Sequence, residues 1–316
     1  MGHGRDGDRP PRHCADHAAS EGQRAQEDPA RPGWPGLRAG RKGHRRTPDV
    51  QRLDRLRDCV GNALTASRSE FATRRVHIGT SGWSYDAWRD DFYRGVPRRA
   101  WLEHYAANFS AVEINASYYR LQQTSTYRKW RDATPTGFRF AIKANRYLTA
   151  YRRLRQPARS IALERGRAQA LGAKLAAVLW QCPANFQKDL QRLARFAAAL
   201  DKWPGVRHVL EFRHPSWFDS SVQSCLHEHR IAICQSDAAD WPLWDAVSTD
   251  LVYVRLHGHT RTYVSAYRAD TLRRWARRVR AWLGAGRTVH VYFDNTDAGA
   301  AVRDAARLAA MLNEIA

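Results

Sequence analysis

Four acids stand near the ends of separate β-like runs: Glu113, Glu211, Asp237 and Asp294. Paired carboxylates can divide general-acid and general-base work, or supply a nucleophile in sugar chemistry, if the fold brings them into one cavity. Glu211 and Asp237 read as the acid/base pair, Glu113 and Asp294 as orienting partners, and His257 as a proton shuttle. Lys143, Arg213 and Arg255 occupy the same alternating positions and would clamp a phosphate or carboxylate. Arg146, Ser81, Gly82, Asn115, Gln181 and Asn295 add polar groups at the same run ends. Trp83, Tyr85, Tyr118, Tyr119 and Trp217 add ring faces of the kind that stack on bases or sugars. The four acids and three cations also compose a nearly neutral internal salt-bridge network, and the residues alone leave both readings open. His214, His257 and His259 have metal-ligand chemistry, but three fixed cations beside them would repel a dication, so neither metal nor cofactor is expected.

Only a closed fold could make such scattered residues converge. Eight short apolar runs begin at Val76, Ala111, Phe138, Ala176, Arg207, Ile231, Leu251 and Thr288. Their pitch of about 30 residues is that of a βα unit, and the pattern predicts a TIM-like (β/α)8 barrel. Helical periodicity fills most of the links, over 98–109, 125–133, 160–171, 185–200, 220–229, 269–283 and 300–315. The link from Asp237 to Leu251 is too short for a full helix. Along each run aliphatic residues alternate with polar ones, which fits a barrel packed under helices outside and polar at the C-terminal mouth. Gly79 and Gly82 are read as allowing a tight turn after the first strand.

The 316-residue chain carries 52 Lys and Arg against 31 Asp and Glu, a formal charge of +21. Of these, 14 basic and 10 acidic residues fall within residues 1–73, so most of the excess belongs to residues 74–316. Residues 1–73, rich in Gly, Pro, Arg and His, are expected to be a disordered basic extension, and the composition change at Arg74 makes them a candidate gene-model artefact. Residues 74–316 are expected to form the barrel domain. Five cysteines without a CxxC spacing read as free thiols. No apolar run suits a membrane span or a secretory signal, so the expectation is a cytoplasmic, non-membrane protein, and a monomer. Arginines cluster at 151–155 (YRRLR) and 272–282 (LRRWARRVRAW). The second has the spacing of an amphipathic helix with a solvated basic face; the first follows the third strand and is the better nucleic-acid candidate. No Walker loop, HExxH, nucleophile elbow or zinc-finger spacing occurs.

GTSGWSY at 79–85, VEINASYYRL at 112–121, FAIKANRYLT at 140–149, LWQCPANF at 179–186, EFRHPSWF at 211–218, YVRLHG at 253–258 and YFDNT at 292–296 together resemble the YecE-like proteins of domain-of-unknown-function family 72. The resemblance is collinear from about residue 74 onward. It implies a TIM-like barrel and carries no settled activity. It also implies a Thr-His pair after the third strand, where this chain has Thr149 and Ala150; if that histidine were catalytic, this member would be impaired. The leading reading is an enzyme acting by acid/base chemistry on a phosphorylated or nucleic-acid substrate at the mouth. A non-catalytic nucleic-acid binder is the alternative, and a sugar-acting hydrolase or isomerase a further one.

Overall fold

The computed structural model describes residues 75–313; the extension expected over residues 1–73, with Cys14 and Cys59, lies outside the described residues. Eight parallel strands close into a barrel in chain order: β1 (Val76–Ser81), β2 (Ala111–Ile114), β3 (Arg139–Lys143), β4 (Leu175–Gln181), β5 (Arg207–Glu211), β6 (Ile231–Asp237), β7 (Leu251–Leu256) and β8 (Thr288–Phe293). Each begins within one residue of the run that predicts it. β8 pairs with β1 over Val76–Thr80, which removes both sheet edges.

Helices cover the outside: α1 (Trp101–Asn108), α2 (Ala116–Tyr119), α3 (Thr124–Asp132), α4 (Pro157–Ala168), α5 (Leu190–Leu200), α6 (Ser220–Glu228), α7 (Ala269–Gly284) and α8 (Ala300–Asn313). α5 starts later than its periodicity suggests, because Asp189 caps it by accepting from Arg192 N–H. The β6–β7 link has no helix and runs as a loop carrying Trp241 and Trp244. No helix among the described residues is long and apolar enough to cross a membrane. Cys182, Cys225 and Cys234 are free thiols.

Strand alternation sorts the side chains. Val112, Ile114, Val178, Leu210, Val254 and Val291 point out into the helix-facing core. Ala111, Ala141, Ala177, Ala232 and Cys234 point inward, and the rings of Tyr253 and Tyr292 fill the space these small residues leave. This plug forms a floor under the polar layer at the strand C-termini. Trp217, expected as an exposed ring, is fully buried and stacked on Phe212 at 4.5 Å. Gly79 also differs from its expected turn role: it lies inside β1, where an added Cβ would meet Ala111 O at 1.9 Å and Tyr105 Oη at 2.8 Å. Gly82, at φ +82°, is the residue that turns the chain.

Gly79→Ala is therefore expected to destabilise the barrel by about 3 kcal/mol, since backbone rather than a flexible side chain must yield. Urea unfolding checks this; a change within about 0.5 kcal/mol would show that β1 and β2 do not pack this closely.

Candidate functional site at the barrel mouth

Arg255, on the inward face of β7, is fully buried and lies near the barrel axis. A guanidinium has five N–H donors and cannot shed its charge, so its burial demands acceptors on every side. Nε donates to both Glu113 oxygens at 3.1 Å, and Nη2 donates to Glu113 Oε1 at 2.8 Å, Asp294 Oδ2 at 2.9 Å and Ser81 Oγ at 3.3 Å. Nη1 donates to Glu211 Oε2 at 2.8 Å and to His257 Nε2 at 3.1 Å. Glu113 also accepts from Ser81 Oγ and Tyr253 Oη, each at 2.6 Å.

Glu211 is held from a second side by Arg213 Nε at 2.8 Å. Arg213 in turn reaches Gln181 Oε1 at 3.1 Å and Tyr263 Oη at 3.3 Å, and its guanidinium lies 3.9 Å from the Trp241 ring centroid. Trp241 Nε1 donates to Ser236 Oγ, which itself lies 3.4 Å from Glu211. The helix-free β6–β7 loop thus supplies a ring over the site. Burial alone would raise the Glu211 carboxyl, but Arg255 and Arg213 outweigh it and hold the group well below the usual carboxylate range. Asp294 is held at about 2 by the same contest between burial and Arg255.

His257 is fully buried. Because arginine can only donate, Nε2 facing Arg255 must carry the lone pair, which leaves the proton on Nδ1, 3.0 Å from Asp294 Oδ2 but outside good hydrogen-bond alignment. Burial, then Arg255, lowers its pKa, so the ring is neutral. Both nitrogens are faced by network partners, Arg255 on one side and Asp294 on the other, an arrangement that does not favour the expected shuttle. Lys143 differs from the other interior cations. Among the described residues it makes no ion pair, and its Nζ sits 4.1 Å from the centroid of the Tyr118 ring. Burial, then the charge of Arg255, lowers its ammonium pKa to about 8.

The structure therefore gathers Glu113, Glu211, Asp294, Lys143, Arg213, Arg255, Ser81, Gln181 and His257 in one layer. It does not bring Asp237 with them. The inward positions of β6 are Ala232, Cys234 and Ser236, so Asp237 faces the other way, with Oδ1 3.0 Å from His259 Nδ1. The expected Glu211–Asp237 pair is corrected on this ground. Asn295 is likewise outside the mouth, its amide donating to Asp304 Oδ2 at 2.9 Å and Ser265 O at 3.0 Å. Trp83 packs edge-on against Trp130, and Tyr85 Oη donates to Ser81 O, so both brace the β1 turn. Asn115 begins α2 beside this turn, with a buried Oδ1 that has no partner. Arg146 lies on the rim over the Tyr119 ring. His214, named above for its metal-ligand chemistry, instead caps the turn at Pro215–Trp217, its ring accepting from Ser216 N–H. Ala150 falls within a π-turn over Tyr147–Tyr151 on the same rim. Ser236, Trp241, Tyr253 and Tyr263 are site residues that sequence reading missed; only Tyr253 had a visible signal, its parity with Arg255.

Residues 77–316 match the family described as "Protein of unknown function DUF72". The chain is 31% identical to the UPF0759 protein YunF of Bacillus subtilis (strain 168) over 152 residues, 45% of this chain and 52% of that protein. It is 30% identical to the UPF0759 protein YecE of Escherichia coli (strain K12) over 145 residues, 45% of this chain and 50% of that protein. The matched region thus spans about half the length of these curated relatives. Among solved structures, a DUF72 family protein of Thermotoga maritima MSB8 superposes with a TM-score of 0.68 at 24% identity, covering 75% of this chain and 98% of that one. A DUF72 family protein of Enterococcus faecalis V583 gives 0.65 at 20% identity, covering 75% and 95%. At these identities the likeness shows the shared fold.

Removing Arg255 tests the network by the sign of a pH effect. In the wild type, Glu211 and Asp294 have depressed folded-state pKa values, so their contribution is present above the unfolded values of about 4 and is lost as pH falls toward about 2. In Arg255→Met the same carboxyls are buried with a partner lost, which costs about 3–5 kcal/mol at neutral pH and raises their pKa values. Urea unfolding of this variant should then show stability rising as pH falls from about 7 to about 5. A wild-type pH slope in the variant would contradict the network as described.

Proposed function

This chain belongs to the DUF72 family, whose function is undescribed, and from that premise we propose that the barrel mouth binds and transforms an anionic substrate, with Lys143 as its anion contact and proton donor. The observation that carries this reading is the condition of Lys143. Its side chain is 5% exposed at the end of β3, and among the described residues no carboxylate pairs with it. Asp294 and Glu211 act on its charge only from beyond ion-pair distance, and an incoming phosphate or carboxylate would supply the direct contact that neither acid makes, where the low dielectric makes the pairing strong. With its ammonium at about 8, Lys143 populates both protonation states near neutral pH and can donate to a developing oxyanion or leaving group.

Arg213 adds a second positive charge on the same face, fixed in direction by Glu211, Gln181 and the Trp241 ring. Glu211 and Asp294 then serve as the ionised frame around Arg255. This weakens the sugar-hydrolase alternative, which needs one carboxyl protonated near neutrality. The non-catalytic nucleic-acid alternative draws on the outer rim rather than on this layer.

Sulfate keeps a constant charge through neutral and mildly alkaline pH, so its binding isolates the titration of the protein. By calorimetry its affinity should be flat below about pH 7 and fall about tenfold per unit above about pH 8, as Lys143 loses its proton. Lys143→Met should weaken it at least about tenfold while leaving the melting temperature unchanged or raised, since a buried charge has been replaced by an apolar chain. Sulfate affinity unaltered by Lys143→Met, or rising with pH, would rule the reading out.

A further inference from the structure

The π-turn Tyr147–Tyr151 after β3 presents an unusual surface. Leu148 and Leu154 anchor it in the core at 1% exposure each, while Tyr147 and Tyr151 on the same turn are 53% and 66% exposed. Backbone bonds from Arg152 N to Tyr147 O at 2.8 Å and from Leu154 N to Leu148 O at 2.9 Å fix the turn, and Asn145 Oδ1 accepts from Tyr147 N at 3.0 Å. The chain beyond it is forced into left-handed geometry at Arg153, Leu154 and Gln156, with φ of 46°, 63° and 48°. Side-chain entropy and solvation alone give no reason to hold two tyrosines outward on so constrained a segment.

The charge around them is equally one-sided. No Asp or Glu occurs between Asp132 and Glu164, and Glu164 itself is buried. The same stretch carries Arg139, Lys143, Arg146, Arg152, Arg153, Arg155 and Arg159. Arg152 and Arg153 bond to the amides of Gln156 and Asn185 rather than to carboxylates. α7 contrasts with this: Arg274 pairs with Asp270 and Arg278 with Asp245.

Rings and cations alternate from the mouth to the rim. Lys143 Nζ lies 4.1 Å from the Tyr118 ring, Tyr118 meets Tyr119 edge-on at 5.2 Å, and the Arg146 guanidinium lies 5.4 Å from Tyr119 and 5.6 Å from Tyr151. Flat π-faces spaced among guanidinium groups that pair with no carboxylate among the described residues match a polymer that offers bases and phosphates by turns. A duplex hides its base faces and would engage only the charges. We propose that the rim formed by Tyr119, Arg146, Tyr147 and Tyr151, with Arg152 and Arg155 beside it, is a stacking track for single-stranded nucleic acid. The track deepens the mouth reading by naming the class of its anionic ligand, and rests on that reading for this step alone.

Fluorescence anisotropy with a labelled oligothymidylate or oligouridylate of about 15 nucleotides tests the track. Binding should be at least about tenfold tighter than to a duplex of equal charge. The double variant Tyr147→Ala, Tyr151→Ala should weaken it at least about tenfold without changing the dependence on salt between about 50 and about 200 mM. Arg152→Gln with Arg155→Gln should instead reduce the slope of log affinity on log salt by about 1.4, two single-strand phosphate contacts. Tyr147, Tyr151 and Arg155 are exposed and Arg152 is half-buried, its side chain bonding only to the amide of Gln156 among the described residues, so these changes should spare the fold, which unchanged melting temperatures would verify. The track is overturned if single strands fail to bind at about 50 mM salt, if heparin or duplex competes as well as single strand, or if the tyrosine variant binds like the wild type. Lys143→Met separates the two readings: sulfate binding at the mouth can fail while the tyrosine effect stands, and the reverse.

Discussion

A guanidinium at the centre of a barrel is stable only when all its N–H groups find acceptors, and Arg255 meets that condition with side chains from β1, β2, β5, β7 and the end of β8. No open sheet could supply such a ring. Glu113 lies 142 residues before Arg255, and Glu211 lies 44 before it, so the contacts form only once the strands have circled. The neutralised ring therefore exists only in the closed barrel. The small inward residues of the floor leave room for the Tyr253 ring, whose hydroxyl supports Glu113 from below. An apolar replacement at position 255 would leave the acids uncompensated, whereas the complete set is satisfied, and this difference makes the network specific to one strand arrangement.

Neutralisation also sorts the candidate chemistry. Glu211 and Asp294, tied to Arg255, are fixed in one protonation state through the neutral range, so they cannot trade protons at ordinary pH. His257 has one nitrogen committed to Arg255 and the other turned on Asp294. Lys143 is left as the interior cation with a movable proton and, among the described residues, no direct ion pair. A frame of fixed charges around one adjustable group is a common way for a scaffold to concentrate reactivity at a single atom.

Much of this was legible in the sequence. The eight runs and their pitch located the start of every strand within a residue, because barrel strands obey a strict alternation and most links between them carry a helical period. Alternation also placed Glu113, Lys143, Glu211, Arg213 and Arg255 on one face. It failed at β6, where Ala232, Cys234 and Ser236 face inward and Gln235 and Asp237 outward. Small residues inside and polar residues outside invert the usual hydropathy contrast, and the polar pair is satisfied by partners that belong to other elements: Arg278 of α7 for Gln235 and His259 for Asp237. Asn295 misled for a related reason, since one residue past β8 the side chain turns to Asp304 of α8. Trp241 and Tyr263 come from loops, and loop contributions to a site follow from tertiary placement that no periodicity records.

Net charge had the least to say until it was divided by what answers it. A basic chain can carry its excess as solvated surface, and α7 shows that form, with Arg274 paired to Asp270 and Arg278 to Asp245. Between Asp132 and Glu164 the excess has another character, because no exposed acid intervenes and aromatic rings do. Guanidinium groups repel one another, so concentrating them on a strained turn opposes folding unless something else is gained. Solubility would be served as well by scattering them. Exposed rings work against solubility, which leaves recognition as the property that cations and rings placed together would serve.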